Sequence, residues 1–557
     1  MPLGQLLVQK GILTSEALDR AVAEEAASGE RLDRVVLRLG LVSRQDLLHA
    51  MGEQFHLAVV DLGATEVDAA VLALLPAKVA YKQRCVPIAR ENGVLTVATS
   101  DPYELAPLDE LRLITGCIIE PALADGEELD KFIRAHYGVG GDTLDALSGS
   151  AADVAAVLPQ DEIEQAQEAS VIKLVNDLLG EAISERATDV HVEPYEHELL
   201  VRYRIDGVLQ RANVPASIHR FGAAIVSRLK IMANLNIAEK RRPQDGRITF
   251  KHRTPRGVEE FDLRVSIIPM LFGEGVVLRV LSKTAALMSL NDLGMPAHLL
   301  KRWDELIGRP HGILLVTGPT GSGKSTTLYA SLNRIISDEI KAITVEDPVE
   351  YHVPGVNQIQ VNPKVGLDFA AGLRSILRHD PDVVMIGEIR DKETADTAVQ
   401  ASLTGHLVFS TLHTNDAAGA TTRLLDMGVE PFLVASSVEG IMAQRLVRRV
   451  CPECAEPYAP QPDDLPEGYQ LLPDERHVRG KGCRACRTTG YRGRLGVFEL
   501  FRLNDRTREM IMHHANARQI AHAAIEDGEL SLLKHDGLAK VRAGVTTLAE
   551  VLRALTA

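Results

Sequence analysis

The chain has 557 residues, 45% of them hydrophobic and 25% charged, and a net charge of −15. That length exceeds one hydrophobic core and predicts three or four domains, and the acidic balance disfavours a general nucleic-acid or anionic-membrane surface. No apolar run approaches the roughly 18 residues of a membrane span, and Met1 to Leu13 carries Lys10 and lacks a signal-peptide core, so a cytoplasmic protein with at most peripheral membrane association is expected.

Residues 1–55 hold an internal repeat. Leu3, Gly11, Leu18 and Ala21 recur 29 positions later as Leu32, Gly40, Leu47 and Ala50. Each copy reads as a helix, a turn, a Thr14 or Ser43 cap and a second helix. Two copies are too few for a solenoid, so a small paired-helix module is predicted. Residues 56–140 read as a small α/β unit, with a β-like run Val94 to Ala98 and a closing helix from Leu129 to Tyr137. Residues 141–168, entered through Gly138-Val139-Gly140-Gly141 and carrying Asp161, Glu162, Glu164 and Glu168, read as a flexible acidic linker.

Residues 169–285 form a further unit: a helix over Val171 to Ile183, a strand from Asp189 to Pro194, and a run from Leu199 that ends in Asp206-Gly207, a hairpin signal. Two more strands, Phe261 to Ile268 and Gly275 to Leu281, each carry one arginine among apolar residues, Arg264 and Arg279. A buried arginine requires an anionic partner, either an internal carboxylate or a phosphate at a subunit contact. Lys240 to Arg256 holds seven Lys/Arg against one Asp, a local basic patch read as a solvated or subunit-facing surface.

Residues 295–557 alternate apolar runs with helical segments, the pattern of a parallel sheet covered by helices. The expected strands are Ile313–Val316, Ile343–Val345, Val383–Ile386 and Leu407–Ser410. The first runs into Gly318-Pro319-Thr320-Gly321-Ser322-Gly323-Lys324-Ser325-Thr326, and a helix-compatible stretch follows to Ile336. Strand, G-x-x-x-x-G-K-S and helix together specify a P-loop. Its backbone N–H groups and helix N-terminus suit phosphate oxygens; Lys324 suits the β- and γ-phosphates, and Ser325 suits Mg²⁺. The chain is expected to bind a nucleoside triphosphate.

The other strand ends supply the chemistry of hydrolysis. Ile343–Val345 runs into Glu346-Asp347-Pro348, and Val383–Ile386 into Gly387-Glu388-Ile389-Arg390-Asp391. Glu346 is assigned to water activation and Glu388 to a water-mediated metal contact, two roles that sequence leaves exchangeable. His413, after Leu407–Ser410, is assigned to γ-phosphate sensing. Arg374 and Arg378 lie four apart beside an apolar stripe of Phe369, Leu373 and Leu377, as phosphate or interface contacts or as a solvated face.

Six cysteines are present, and four form two C-x-x-C knuckles, Cys451/Cys454 and Cys483/Cys486. Each knuckle presents two thiolates on one side, which together suit a structural tetrahedral Zn²⁺ within 451–486. Cys85 and Cys117 are read as core residues.

Taken in order, the P-loop, Val345-Glu346-Asp347-Pro348, Gly387-Glu388-Ile389-Arg390-Asp391 and Thr411-Leu412-His413 resemble the Walker A, Asp box, atypical Walker B and His box of the type II/type IV secretion ATPase superfamily. Arg242 to Arg247, Gly490 to Arg494 and the tail Thr546 to Leu552 are further family-like stretches, and the cysteine knuckles argue against the shorter retraction-type pilus motors. The nearest likeness is the type II secretion assembly branch, with the type IV pilus extension branch as the alternative. The resemblance implies an α/β architecture: a RecA-like P-loop domain, an α+β PAS-like domain before it, small N-terminal α/β docking domains and a C-terminal zinc-binding subdomain.

It also implies a homo-hexamer that hydrolyses ATP, with nucleotide held between the PAS-like and P-loop domains. Arg264 and Arg279 then match nucleotide-facing arginines of the former, and Arg374, Arg378 and Arg390 those of the latter. The implied partners are an inner-membrane platform protein, through which pseudopilus subunits are assembled, and a membrane-anchored protein that docks the N-terminal region. The N-terminal repeat resembles a module that binds cyclic di-GMP, but Pro2 stands where an arginine is expected and Asp33 where a glycine is; Arg31 is present. A plain docking module is the expectation there. A nucleic-acid translocase on a similar core is the reading from another class, and the acidic balance argues against it.

Overall fold

The structure is a computed structural model that describes residues 2–103, 106–144, 168–254, 257–282, 288–460, 465, 475 and 477–556. It divides into two compact units, Met1–Val280 and Leu281–Ala557.

In the first unit the repeat folds as four helices, Leu3–Gln9, Ser15–Ser28, Leu32–Arg38 and Arg44–Phe55. Thr14 and Ser43 cap the longer helices by accepting from Ala17 N and Asp46 N, which satisfies amides that lack an intrahelical partner. Leu6, Leu7, Val35, Val36, Leu47 and Ala50 fill the core between the copies. Arg31 is held by Asp33 and Asp101 at 2.7 and 3.0 Å and lies over the Tyr103 ring. A four-stranded sheet follows, in the order β1 (Ala58–Val59), β4 (Ile118–Leu123), β3 (Val94–Thr99), β2 (Cys85–Glu91). Cys85 and Cys117 are buried in its core.

Residues 141–144, expected as the start of a flexible linker, are ordered into the first unit. Residues 141–144 form a helical turn, and Val139 and Leu144 are buried with Leu174 and Val175 of the helix Ala169–Ser184. The two apolar side chains favour that core over solvent, and Val139 N donates to Asn213 O at 2.8 Å. The acidic stretch 145–167 lies outside the described residues.

A six-stranded sheet completes the unit, in the order β7 (Val208–Arg211), β6 (Leu199–Ile205), β5 (Asp189–Pro194), β10 (Gly273–Ser282), β9 (Gly257–Met270), β8 (Gln244–Thr254). Asp206 and Gly207, with φ of 50° and 87°, make the two-residue turn between β6 and β7 that the Asp-Gly pair predicts. The arginines expected inside strands are not deeply buried. Arg264 is half-buried, and Arg279 is exposed and pairs with Asp189, its cross-strand partner on β5, at 3.2 Å. Alternation along the strand explains this, since Leu263, Val265 and Leu278 take the inward positions.

The second unit is built on an eight-stranded sheet, in the order β13 (Val356–Gln360), β12 (Ala342–Glu346), β14 (Val383–Ile386), β15 (Leu407–Leu412), β11 (Gly312–Thr317), β16 (Val438–Val450), β19 (Tyr491–Arg502), β20 (Leu530–Ser531). The first six run parallel, and β19 and β20 add antiparallel. All four expected strands are present, each extended by one or two residues at an end except Val383–Ile386. They read as mostly apolar runs because both faces are covered. Leu314 and Val316 face the core shared with Trp303, Leu328 and Tyr329, while Ile313 and Leu315 face the opposite core with Leu373 and Ala398. Parallel order places the carboxyl ends of β11, β12, β14 and β15 at one edge, where ligands bind in such sheets. Beyond β16 a two-stranded sheet of β17 (Ala455–Tyr458) and β18 (His477–Gly480) lies between the cysteine knuckles in sequence. Among the described residues no helix is long and apolar enough to cross a membrane.

Candidate nucleotide site and cysteine cluster

Strand β11 delivers Thr317 to the sheet edge, where its hydroxyl meets Leu412 O and Thr414 O at 3.1 Å each. This fixes the start of the phosphate loop against the end of β15. Gly318 follows with φ 147°, and a Cβ there would fall 2.5 Å from Gln444 O on β16. Only glycine allows the loop so close to the neighbouring strand. Lys324 opens the helix Lys324–Ile335 and is 9% exposed. Its Nζ donates to Gly318 O at 2.7 Å and to Pro319 O at 3.1 Å. Burial pushes its pKa down to about 8, Glu388 opposes that, and Arg445 adds to it. Ser325 is exposed, and the Ser322 hydroxyl is buried without a hydrogen-bond partner. Thr327 Oγ1 donates to Gln444 Oε1 at 2.6 Å, which ties the helix to β16.

The two candidate carboxylates have different surroundings. Glu346 ends β12 and is 3% exposed. Oε1 accepts from the Thr344 hydroxyl and from Gln358 Nε2 at 3.1 Å, and Oε2 accepts from the Tyr329 hydroxyl. Both oxygens are therefore engaged by protein donors. Glu388 follows β14 and is half-buried; Arg390 binds Oε1, and His413 Nε2 lies 3.0 Å from Oε2. Burial raises the Glu388 pKa, but hydrogen bonds from Arg390 and His413 outweigh it and hold the group below the usual carboxylate range. Gly387, in the place of the usual Walker B aspartate, has a packing reason. A Cβ there would lie 3.3 Å from the Phe369 ring and 3.4 Å from Glu346 Cα, so the glycine lets the exit of β14 lie against the end of β12.

Glu388, Arg390 and His413 thus form one cluster in the electrostatic reach of Lys324. Arg374 and Arg378 are not in it: both are exposed, Arg374 pairs with Glu393, and Arg378 Nη1 donates to Arg374 O at 2.9 Å. Arg264 and Arg279 belong to the first unit. Sequence reasoning missed Tyr329, Gln444 and Arg445. Tyr329 carried a signal, being four residues after Ser325 on the same helix face. Gln444 and Arg445 are in the middle of an apolar strand, and only the pairing of β16 with β11 reveals their proximity to the loop.

The sulfurs of Cys451, Cys454, Cys483 and Cys486 all lie within 4.8 Å of one another. The pairs 451–483 and 454–486 are 3.8 Å apart, and 483–486 is 3.7 Å. A tetrahedron with metal–sulfur bonds of about 2.3 Å sets sulfurs about 3.8 Å apart, so the cluster is compatible with zinc. Cys486 Sγ accepts from Cys483 N at 3.1 Å and Gly490 N at 3.2 Å, donors that favour a thiolate.

The profile of the Type II/IV secretion system protein family matches residues 164–553, and that of the MshEN domain matches residues 55–143. The chain is 42% identical to the Type II secretion system protein E of Xanthomonas campestris pv. campestris, over 99% of this chain and 97% of that one. Identity to the Type II secretion system ATPase E of Vibrio cholerae is 50%, over 74% of this chain and 80% of that one. Identity to the Type IV pilus assembly ATPase PilB of Myxococcus xanthus is 42%, over 99% and 98%. A phosphate loop with an adjoining glutamate–histidine cluster and a family match over most of its length lead to one conclusion: the chain belongs to the Type II/IV secretion system protein family and is an ATP-hydrolysing secretion ATPase.

Proposed function

We propose that this chain is the cytoplasmic, hexameric ATPase of a type II secretion system, driving pseudopilus assembly through an inner-membrane platform protein. Its N-terminal region docks on the cytoplasmic part of a membrane-anchored partner. The observation that carries the hydrolytic part is the Glu388–His413–Arg390 cluster, whose Glu388 lies within electrostatic reach of Lys324. Gly318 to Thr326 cradle the phosphates, and Lys324 leaves the loop carbonyls for the β- and γ-phosphates. Ser325 would hold Mg²⁺ arriving with the nucleotide, and the ion would supply charge screening to the phosphates. Glu388 orients water toward that site, and His413 senses the γ-phosphate through its contact with Glu388. Glu346, with both oxygens engaged, keeps its assignment to water activation on condition that Thr344 or Gln358 releases Oε1 while Tyr329 holds Oε2.

Arg390 is assigned to the transferring phosphate from within the cluster, and Arg374 and Arg378 from the same unit. Arg264 and Arg279 take that role from the PAS-like domain on the family resemblance alone. An arginine so supplied is typically worth roughly 10³–10⁵ in rate. The four cysteines hold a structural Zn²⁺. For the helical repeat we keep docking rather than cyclic di-GMP binding, because Arg31 is already paired with Asp33 and Asp101.

The likeness to the Myxococcus protein supports a second reading, type IV pilus extension. The two separate in cells that carry Lys324→Ala in place of the native gene. Secretion predicts loss of extracellular export with surface pili intact, and pilus extension predicts the reverse.

A further inference from the structure

Arg445 lies on β16 beside the first glycine of the phosphate loop. It is 5% exposed. Nη2 donates to Asn415 O at 2.9 Å, Nη1 donates to Gln444 O at 3.2 Å, and Nε has no hydrogen-bond partner. A Cβ on Gly318 would lie 3.2 Å from Nη1, so the guanidinium rests directly behind the loop. Both of its partners are neutral main-chain carbonyls. The acids that face it, Glu499 and Asp416, attract it without meeting the guanidinium in a hydrogen bond, and each accepts from main-chain amides instead. Glu499 accepts from Ala417 N and Leu533 N at 2.7 and 3.3 Å, and Asp416 caps the helix Ala417–Asp426 through Gly419 N. A second cation, Lys324, feels its charge across the loop. A cleft of about 390 Å³ opens beside it, lined by Asp416, Glu499 and Lys534 among others.

A buried cation that meets no carboxylate in a hydrogen bond is costly. Such a cost is offset when a ligand brings the missing counter-charge, and the low dielectric that penalises the free state then strengthens the attraction. Lys324 places polyphosphate on the far side of the same loop. We propose that Arg445 is an electrostatic positioning residue for the nucleotide, a charge only partly offset by Glu499 and Asp416 behind the loop, to which the bound phosphates add the remaining counter-charge. It acts through the loop and does not touch the reacting atoms. The proposal rests on the loop being the nucleotide site, and it predicts that the charge of Arg445 matters more than its shape.

The test measures binding of AMPPNP and of ADP to the full-length chain by calorimetry, for wild type, Arg445→Gln, Arg445→Lys and Lys324→Ala, with melting temperatures of the free proteins. We expect Arg445→Gln to weaken AMPPNP binding by about tenfold or more and ADP binding by less, because fewer phosphate charges are lost. Arg445→Lys keeps the charge and stays within about threefold of wild type. Both free variants melt within a few degrees of it. Equal losses for Gln and Lys, equal losses for AMPPNP and ADP, or unchanged AMPPNP binding in Arg445→Gln overturn the proposal. If Arg445→Gln does not fold, Arg445→Lys decides: near-native affinity upholds the proposal and a tenfold loss contradicts it. A wild-type chain that binds no better than Lys324→Ala removes the nucleotide reading itself.

Discussion

The hydroxyl of Tyr329 donates to Oε2 of Glu346, which links the helix after the phosphate loop to the end of β12. Both residues are buried, and Glu350 N donates to the same hydroxyl at 3.3 Å. Burial beside Glu346 pushes the Tyr329 pKa well above its ordinary value, so the phenol remains a donor at all working pH values. A hydrogen bond to a charged group is worth about 1.5–3 kcal/mol, enough to hold Glu346 in one rotamer. Tyr329→Phe is expected to lower kcat about tenfold with AMPPNP affinity nearly unchanged. Steady-state hydrolysis alongside binding checks it, and a loss confined to affinity would place Tyr329 on the nucleotide instead.

Lys324 makes a pH-dependent prediction. Its pKa in the free chain is depressed to about 8 by burial, and phosphate oxygens favour the protonated amine. Nucleotide binding should therefore take up protons, with the uptake largest above pH 8, and affinity should fall as pH rises through that range. Calorimetry at pH 9 in two buffers of different ionisation enthalpy reads the uptake. Lys324→Met should show none of this component.

The cysteine cluster predicts about one zinc per chain by elemental analysis. Replacing all four of Cys451, Cys454, Cys483 and Cys486 by serine should remove it and lower the melting temperature of the second unit. Structural zinc in small domains contributes roughly 10–16 kcal/mol. Purified protein free of zinc, with a melting temperature unaffected by the serines, would contradict the assignment.

Glu550 predicts where acid loosens the last helix. Its carboxylate is nearly inaccessible and is bound by Arg448 at 2.8 Å and Arg553 at 2.6 Å. Burial alone would raise its pKa, but the two arginines bring it down to about 2. The folded value lies below the unfolded one, so the stabilisation is complete above pH of about 4.5 and is lost as pH falls toward 2. The shift corresponds to about 3 kcal/mol. In Glu550→Gln that part of the acid-induced loss of stability should disappear, as followed by denaturant unfolding at several pH values.

Much of the second unit was legible because its signals are local. The run Ile313–Val316, the glycine-lysine-serine loop and the helix after it all lie within one short segment, and their physics permits few alternatives. The caps Thr14 and Ser43 and the Asp206-Gly207 turn were legible for the same reason. What sequence could not supply depends on strand order. Gln444 and Arg445 reach the loop only because β16 pairs with β11, more than a hundred residues away. The saturation of Glu346 depends on Tyr329, Thr344 and Gln358 meeting across three elements. The linker boundary failed for a related reason: glycines suggested mobility, but Val139 and Leu144 are apolar enough to pack.

In the proposed mechanism Glu388, held by His413 and Arg390 within electrostatic reach of Lys324, makes this loop a hydrolytic site. Steady-state ATP hydrolysis by the full-length chain and by Glu388→Gln tests it most directly, with AMPPNP binding measured on both. The account predicts that Glu388→Gln binds AMPPNP within a few fold of wild type and loses about 10²-fold or more of kcat, the scale of a positioned acid–base or water-orienting group. Hydrolysis by Glu388→Gln at the wild-type rate would contradict it.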